Sequence, residues 1–73
     1  MKSISKSQFL EIREAYVFGA DGFHKKLEEI TGITARPYTA FLYYDSSGDY
    51  IGDSENSRLY DLLNAAYIEV IDE

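Results

Sequence analysis

The chain has 73 residues, 45% hydrophobic and 15% aromatic, no cysteine, and a formal net charge of −6. Such a composition describes one small folded domain and excludes disulfides, thiolate metal sites and a cysteine nucleophile. A domain this short buries only roughly 60% of the surface its unfolded chain exposes, so association with another chain is an ordinary source of extra stability.

The first eighteen residues, MKSISKSQFLEIREAYVF, open with lysines. Glu11, Arg13 and Glu14 break the apolar run that a signal peptide needs, and no stretch reaches the length of a membrane span. A cytoplasmic protein with no membrane partner is the expectation. Ser5 and Gln8 stand at capping-box spacing, with Ile4 and Phe9 placed as a hydrophobic staple around them. Phe9, Ile12, Tyr16 and Val17 then recur on one helical face. Gly19 and Gly22 interrupt this helix, and Asp21 is placed to cap a second one that carries Phe23, Leu27 and Ile30. Gly32 closes it in a Schellman-type turn, with Ile33 set to touch Leu27.

Arg36 precedes Pro37 and is pushed toward extended geometry. The aromatic run YTAFLYY (38–44) reads as a strand, DSSG (45–48) as a type I turn, and DYIG (49–52) as the returning strand. Asp53 or Ser54 is placed to cap a last helix on which Leu59, Leu63, Ala66 and Val70 line up. The β-branched residues within 67–71 leave room for a third short strand at the C-terminus. The expected fold is a single α+β domain over residues 1–73, in the order α-α-β-β-α, with a two-stranded antiparallel hairpin packed on helices.

Charge is divided unevenly along the chain. Residues 1–37 hold six bases and five acids, a net of +1, whereas residues 38–73 hold Arg58 against eight acids, a net of −7. The acidic half repels nucleic acid and anionic membrane and attracts basic surfaces. Solubility alone would also account for a charge of this size.

Three specific chemistries bear on this pattern. Asp45, Ser47, Asp49, Asp53 and Glu55 resemble a calcium loop in spacing, but an EF-hand needs glycine at the sixth position and glutamate at the twelfth. Counted from Asp45, those positions hold Tyr50 and Asn56, so no metal and no cofactor is expected. The segment KKLEEITGITARPYTAF resembles the turn region of repressor-type helix-turn-helix units through Leu27, Gly32 and Ile33. Glu28 stands where that pattern wants a small residue, and a recognition helix with Arg36 as its one base would neutralise few phosphates. For catalysis, His24 is the one histidine, expected as a solvated residue beside Lys25 and Lys26, and no partner for it is legible. An enzyme is not expected.

The acidic hairpin remains. A turn at 45–48 sets Asp45 opposite Asp49, Tyr44 opposite Tyr50 and Tyr43 opposite Ile51. Alternation then gives one face Tyr38, Ala40, Leu42, Tyr44 and Tyr50, and the other Thr39, Phe41, Tyr43 and Ile51. Both faces are apolar and helices can cover only one, which marks the other as a binding surface, since tyrosine is enriched at interface hot spots. The sequence thus points to an acidic protein–protein interaction module or inhibitor. Its partner would be a basic protein surface, including one that otherwise holds nucleic acid, with no direct nucleic-acid binding by this chain. The residues assigned to the contact are Tyr38, Tyr44, Asp45, Asp49, Tyr50, Asp53, Glu55 and Asp61. Acidic nucleic-acid mimics among phage-encoded inhibitors of restriction and CRISPR systems are an analogy of class, as are the immunity proteins of nucleases. The alternatives are a helix-turn-helix regulator and a small homo-oligomeric assembly protein, a homodimer in its simplest form.

Overall fold

Ser5 is both the last residue of a short strand and the cap of the first helix. The computed structural model describes residues 2–72; strand β1 (Lys2–Ser5) runs directly into helix α1 (Lys6–Glu14). The Gln8 N–H donates to Ser5 Oγ at 3.1 Å, and the Ser5 N–H donates to Gln8 Oε1 at 2.9 Å. The expected capping box is therefore present, and Ile4 and Phe9 on either side of it enter one buried cluster. After Glu14 the chain tightens into a 3-10 segment, Ala15–Phe18. Its three-residue repeat turns side chains off the α-helical stripe. Ala15 is buried, while Tyr16 and Val17, expected on the buried face, are exposed.

Helix α2 (Gly19–Thr31) begins before the expected cap, Asp21, which lies instead in its first turn, where a carboxylate suits the helix dipole. Phe23 and Leu27 are buried as expected, and Thr31 joins them. The Thr31 hydroxyl donates to the Leu27 carbonyl at 2.6 Å and accepts the Ile33 N–H at 3.1 Å, so its burial leaves no polar group unpaired. Gly32 ends the helix and donates its N–H to the Glu28 carbonyl at 2.9 Å.

The expected two-stranded hairpin is part of a three-stranded antiparallel sheet, ordered β2-β3-β4, made of Thr34–Pro37, Phe41–Tyr44 and Tyr50–Asp53. The added strand is the segment around Pro37. It lies at the sheet edge, where proline removes no needed ladder bond. The same residues would have opened the recognition helix of a helix-turn-helix unit; here they are strand. The strand expected over 38–44 is shorter, because 38–40 forms a turn in which the Tyr38 N–H donates to the Ala40 carbonyl at 2.8 Å. At the tip the Gly48 N–H donates to the Asp45 carbonyl at 3.0 Å, closing the expected turn. Tyr44 pairs with Tyr50 as expected, but Tyr43 pairs with Gly52, leaving Ile51 as the extra residue of a bulge.

The last helix is also shorter than expected. Asp53 caps a separate turn, and α3 (Leu59–Ala65) begins after Arg58. Val70, expected on the helix, lies on strand β5 (Ile68–Ile71). This is the short extra strand at the C-terminus that the sequence left room for, but it pairs in parallel with β1, Lys2 opposite Ile68 through Ser5 opposite Ile71. The order is thus β-α-α-β-β-β-α-β, an α+β domain with two separate sheets. Ile12, Leu27, Ile33, Leu62 and Leu63 are almost wholly buried at its centre; each such side chain contributes about 1.5–3 kcal/mol of transfer free energy. Among the described residues no helix is long and apolar enough to cross a membrane.

Candidate functional site

Strand alternation sorts the sheet into an inner and an outer face. Phe41, Tyr43 and Ile51 belong to the core side, where Tyr43 is buried and the other two pack against the core cluster. Cross-strand partners share a face, so the register places Arg36, Leu42 and Asp53 together outside, beside Thr34, Tyr44 and Tyr50. The Arg36 guanidinium carbon lies 4.6 Å from the centre of the Tyr44 ring, and Tyr44 meets Tyr50 edge-on at 5.8 Å. Tyr50 is 55% exposed. The outer face is a short row of cation, ring and ring that remains open to solvent.

The expected contact residues do not form one patch. Asp45 and Asp49 sit at the tip, whereas Tyr38 lies in the turn at the other end of the sheet, 76% exposed. Asp53 and Glu55 are at that far end too, since Ser54 is bonded to Phe41 through both its N–H and its Oγ. Asp61 belongs to the first turn of α3.

Three of these five carboxylates have structural work. Asp45 Oδ1 accepts the N–H groups of Ser47 and Asp49 at 2.9 and 3.0 Å and so fixes the turn. Asp53 Oδ1 accepts the N–H groups of Glu55 and Asn56, both at 2.9 Å, and Asn56 Nδ2 reaches the same carboxylate. Those bonds from Asn56 and Glu55 hold the Asp53 carboxyl below the usual carboxylate range. Asp61 Oδ2 accepts the Arg58 N–H at 2.9 Å and completes the start of α3. Among the described residues, the carboxylates of Asp49 and Glu55 make no hydrogen bond or ion pair. Beside them the Tyr50 hydroxyl donates to Asp53 Oδ2 at 3.4 Å, while the Tyr50 ring stays largely exposed.

Two features escaped the sequence reading. His24 is half-buried, not solvated: its Nε2 lies 2.7 Å from the Tyr43 hydroxyl, and it packs edge-on to Phe41 at 4.5 Å. Burial lowers its pKa from the ordinary value, opposed by the nearby Asp21 carboxylate. Burial likewise pushes the Tyr43 phenol up to about 12. The available signal was spacing, because position 24 shares a helical stripe with Leu27 and Thr31. The second feature is Tyr67, whose φ of 58° puts it in the left-handed region while its side chain is 73% exposed. It lies between a cleft of about 280 Å3, shared with Lys2, Asp45 and Asp49, and a groove of about 870 Å3 between α1, α3 and β5. No sequence pattern announces a left-handed tyrosine.

Comparison with protein families, with curated proteins and with solved structures gives no match.

Proposed function

We propose that this domain is a protein–protein interaction module whose acidic, tyrosine-bearing hairpin face docks on a basic surface of another protein. One observation carries the reading: Asp49 and Glu55 stand unpartnered beyond the two ends of strand β4, which carries Tyr50 of the Tyr44–Tyr50 pair, while the neighbouring acids are absorbed into turns and caps. Two free carboxylates spaced along a strand, with aromatic area between them, suit a surface that otherwise holds phosphates. A partner of that kind would make the domain an inhibitor by mimicry of nucleic acid. The charge of residues 38–73 favours such a partner and disfavours DNA itself. No catalytic role and no cofactor is proposed. The protein is expected to work in the cytoplasm.

The test is affinity capture from the native host with two baits, the unaltered chain and the variant D49N/Y50A/E55Q. A basic protein retained by the first bait, released by salt and lost with the second, supports the reading. Retention unchanged by the substitutions, or direct salt-sensitive binding of duplex DNA, overturns it.

A further inference from the structure

The parallel pair β1–β5 stands as a sheet of two strands, so β5 keeps one unpaired edge. Parallel pairs are the weaker kind of ladder and occur mostly inside larger, covered sheets. The direction of the open edge follows from the register. The Lys2 N–H donates to the Tyr67 carbonyl, with Lys2 opposite Ile68. Backbone groups alternate along a strand, so Tyr67, Glu69 and Ile71 turn theirs toward β1, while Ile68 and Val70 turn theirs away. Both Ile68 and Val70 line the groove of about 870 Å3. Opposite them stand Phe9 and Tyr60, ring centres 4.5 Å apart and planes tilted by 31°, with Leu10 beside them 39% exposed. The groove therefore offers a ladder of free donors and acceptors on one side and an aromatic wall on the other. At its mouth stands Tyr67, exposed and in a backbone conformation costing roughly 1–2 kcal/mol for a residue with a Cβ; such strain gathers at functional sites.

We infer that the β5 edge is a second docking site, which takes an extended segment of another protein as an added strand with basic side chains at alternate positions. The inference is independent of the hairpin. A strand beside β5 would share its solvent face with Glu69 and Ile71 and its inner face with Ile68 and Val70. Glu69 is the charged side chain of β5 itself on that outer face, and Asp72 follows at the end of the groove. Lys6 lines that end together with Asp72, and Arg13 stands on the α1 wall across the groove. A second copy is the poorer occupant, because a two-fold pairing of β5 sets Glu69 against its own counterpart on chains of −6 each.

The probes are capped octapeptides titrated into the isotope-labelled chain and followed by amide NMR. One alternates lysine and valine, one alternates glutamate and valine, and two are lysine–valine peptides N-methylated at every lysine or at every valine. The expected result is movement of the Ile68 and Val70 amides with the lysine peptide and about fivefold weaker binding of the glutamate peptide. One of the two N-methylated forms should bind about tenfold more weakly or worse, having lost its ladder donors. Glu69→Lys, an exposed change, should reverse the lysine-over-glutamate preference. Absence of binding, shifts confined to residues 45–55, or equal binding of both N-methylated peptides overturns the inference. So does concentration-dependent self-association that protects the Ile68 and Val70 amides without peptide, which would assign the edge to a second copy.

Discussion

His24 Nε2 and the Tyr43 hydroxyl lie 2.7 Å apart and tie α2 to the central strand of the three-stranded sheet. With both groups neutral and the imidazole proton on Nδ1, the phenol donates to Nε2. Protonation of His24 removes that acceptor. Phe23, Phe41 and Tyr43 surround the ring, and Asp21 on the same helix is the one charge acting on it. The folded-state pKa lies below the ordinary 6.5, so the unfolded chain binds the proton more readily. Stability from this group is full above pH 6.5 and falls as pH drops from there toward the lowered folded pKa. The Asp53 contribution belongs to a lower window, near and below 3.8. Thermal midpoints should therefore decline on going from neutral pH to mildly acidic pH, and His24→Gln should flatten that slope. An unchanged slope in the variant would remove His24 as its cause.

Tyr67 should be replaceable at a gain. Its left-handed backbone ends α3, with the Tyr67 N–H donating to the Asn64 carbonyl at 3.0 Å, at a position where glycine is the usual residue. Tyr67→Gly should stabilise the domain by about 1 kcal/mol, which for a chain of this size raises the melting temperature by about 4–8 °C. Tyr67→Ala keeps the Cβ and should show little of that gain. If glycine and alanine behave alike, the backbone at Tyr67 is not strained.

Gly52 sits where no side chain fits. Its φ is 154°, and a Cβ there would lie 2.3 Å from Ser57 Oγ, because the turn after β4 folds back onto the bulge. Gly52→Ala should destabilise by about 1–3 kcal/mol, the range for forced overpacking. Ser57→Gly, made in the same chain, should recover part of the loss; additivity of the two changes in a double-mutant cycle would show that Ser57 is not the obstacle.

What the sequence disclosed followed the strength of each local signal. The Ser5–Gln8 box, the Phe23–Leu27 stripe and the turn at 45–48 are set by residues within one turn of each other, and all three were legible. The β1–β5 pair joins the two ends of the chain, and four residues with Ile4 as the one buried side chain carry no readable period. Spacing misplaces Val70 for a related reason, since it continues the helical spacing of Leu59, Leu63 and Ala66 although Tyr67 has already ended the helix. The inward hairpin face could not be chosen because both faces were apolar; packing of Phe41 and Tyr43 against His24 and the core selects it. The bulge at Ile51 comes with Gly52 set close against Ser57, a neighbour no strand pattern contains.

Asp45 and Asp49 separate an acid that the fold uses at the tip from one that it does not. From sequence both lie across one turn, where like charges oppose each other. The structure gives Asp45 two backbone N–H groups to hold, and Asp49 none. Asp45→Ala should therefore destabilise by about 1 kcal/mol through loss of the turn-closing bonds. Asp49→Asn should leave stability unchanged or slightly higher, because it removes the repulsion without removing a bond. Binding should respond in the opposite order. Asp49→Asn should weaken partner binding by about 1 kcal/mol or more if the acid meets a base in a desolvated contact. Tyr44→Ala and Tyr50→Ala should lose about 2 kcal/mol each as hot spots. Urea unfolding supplies the first comparison and titration calorimetry with the captured partner the second. An Asp49→Asn protein that keeps full affinity, measured beside a destabilised Asp45→Ala protein, would reduce the hairpin to a well-made turn.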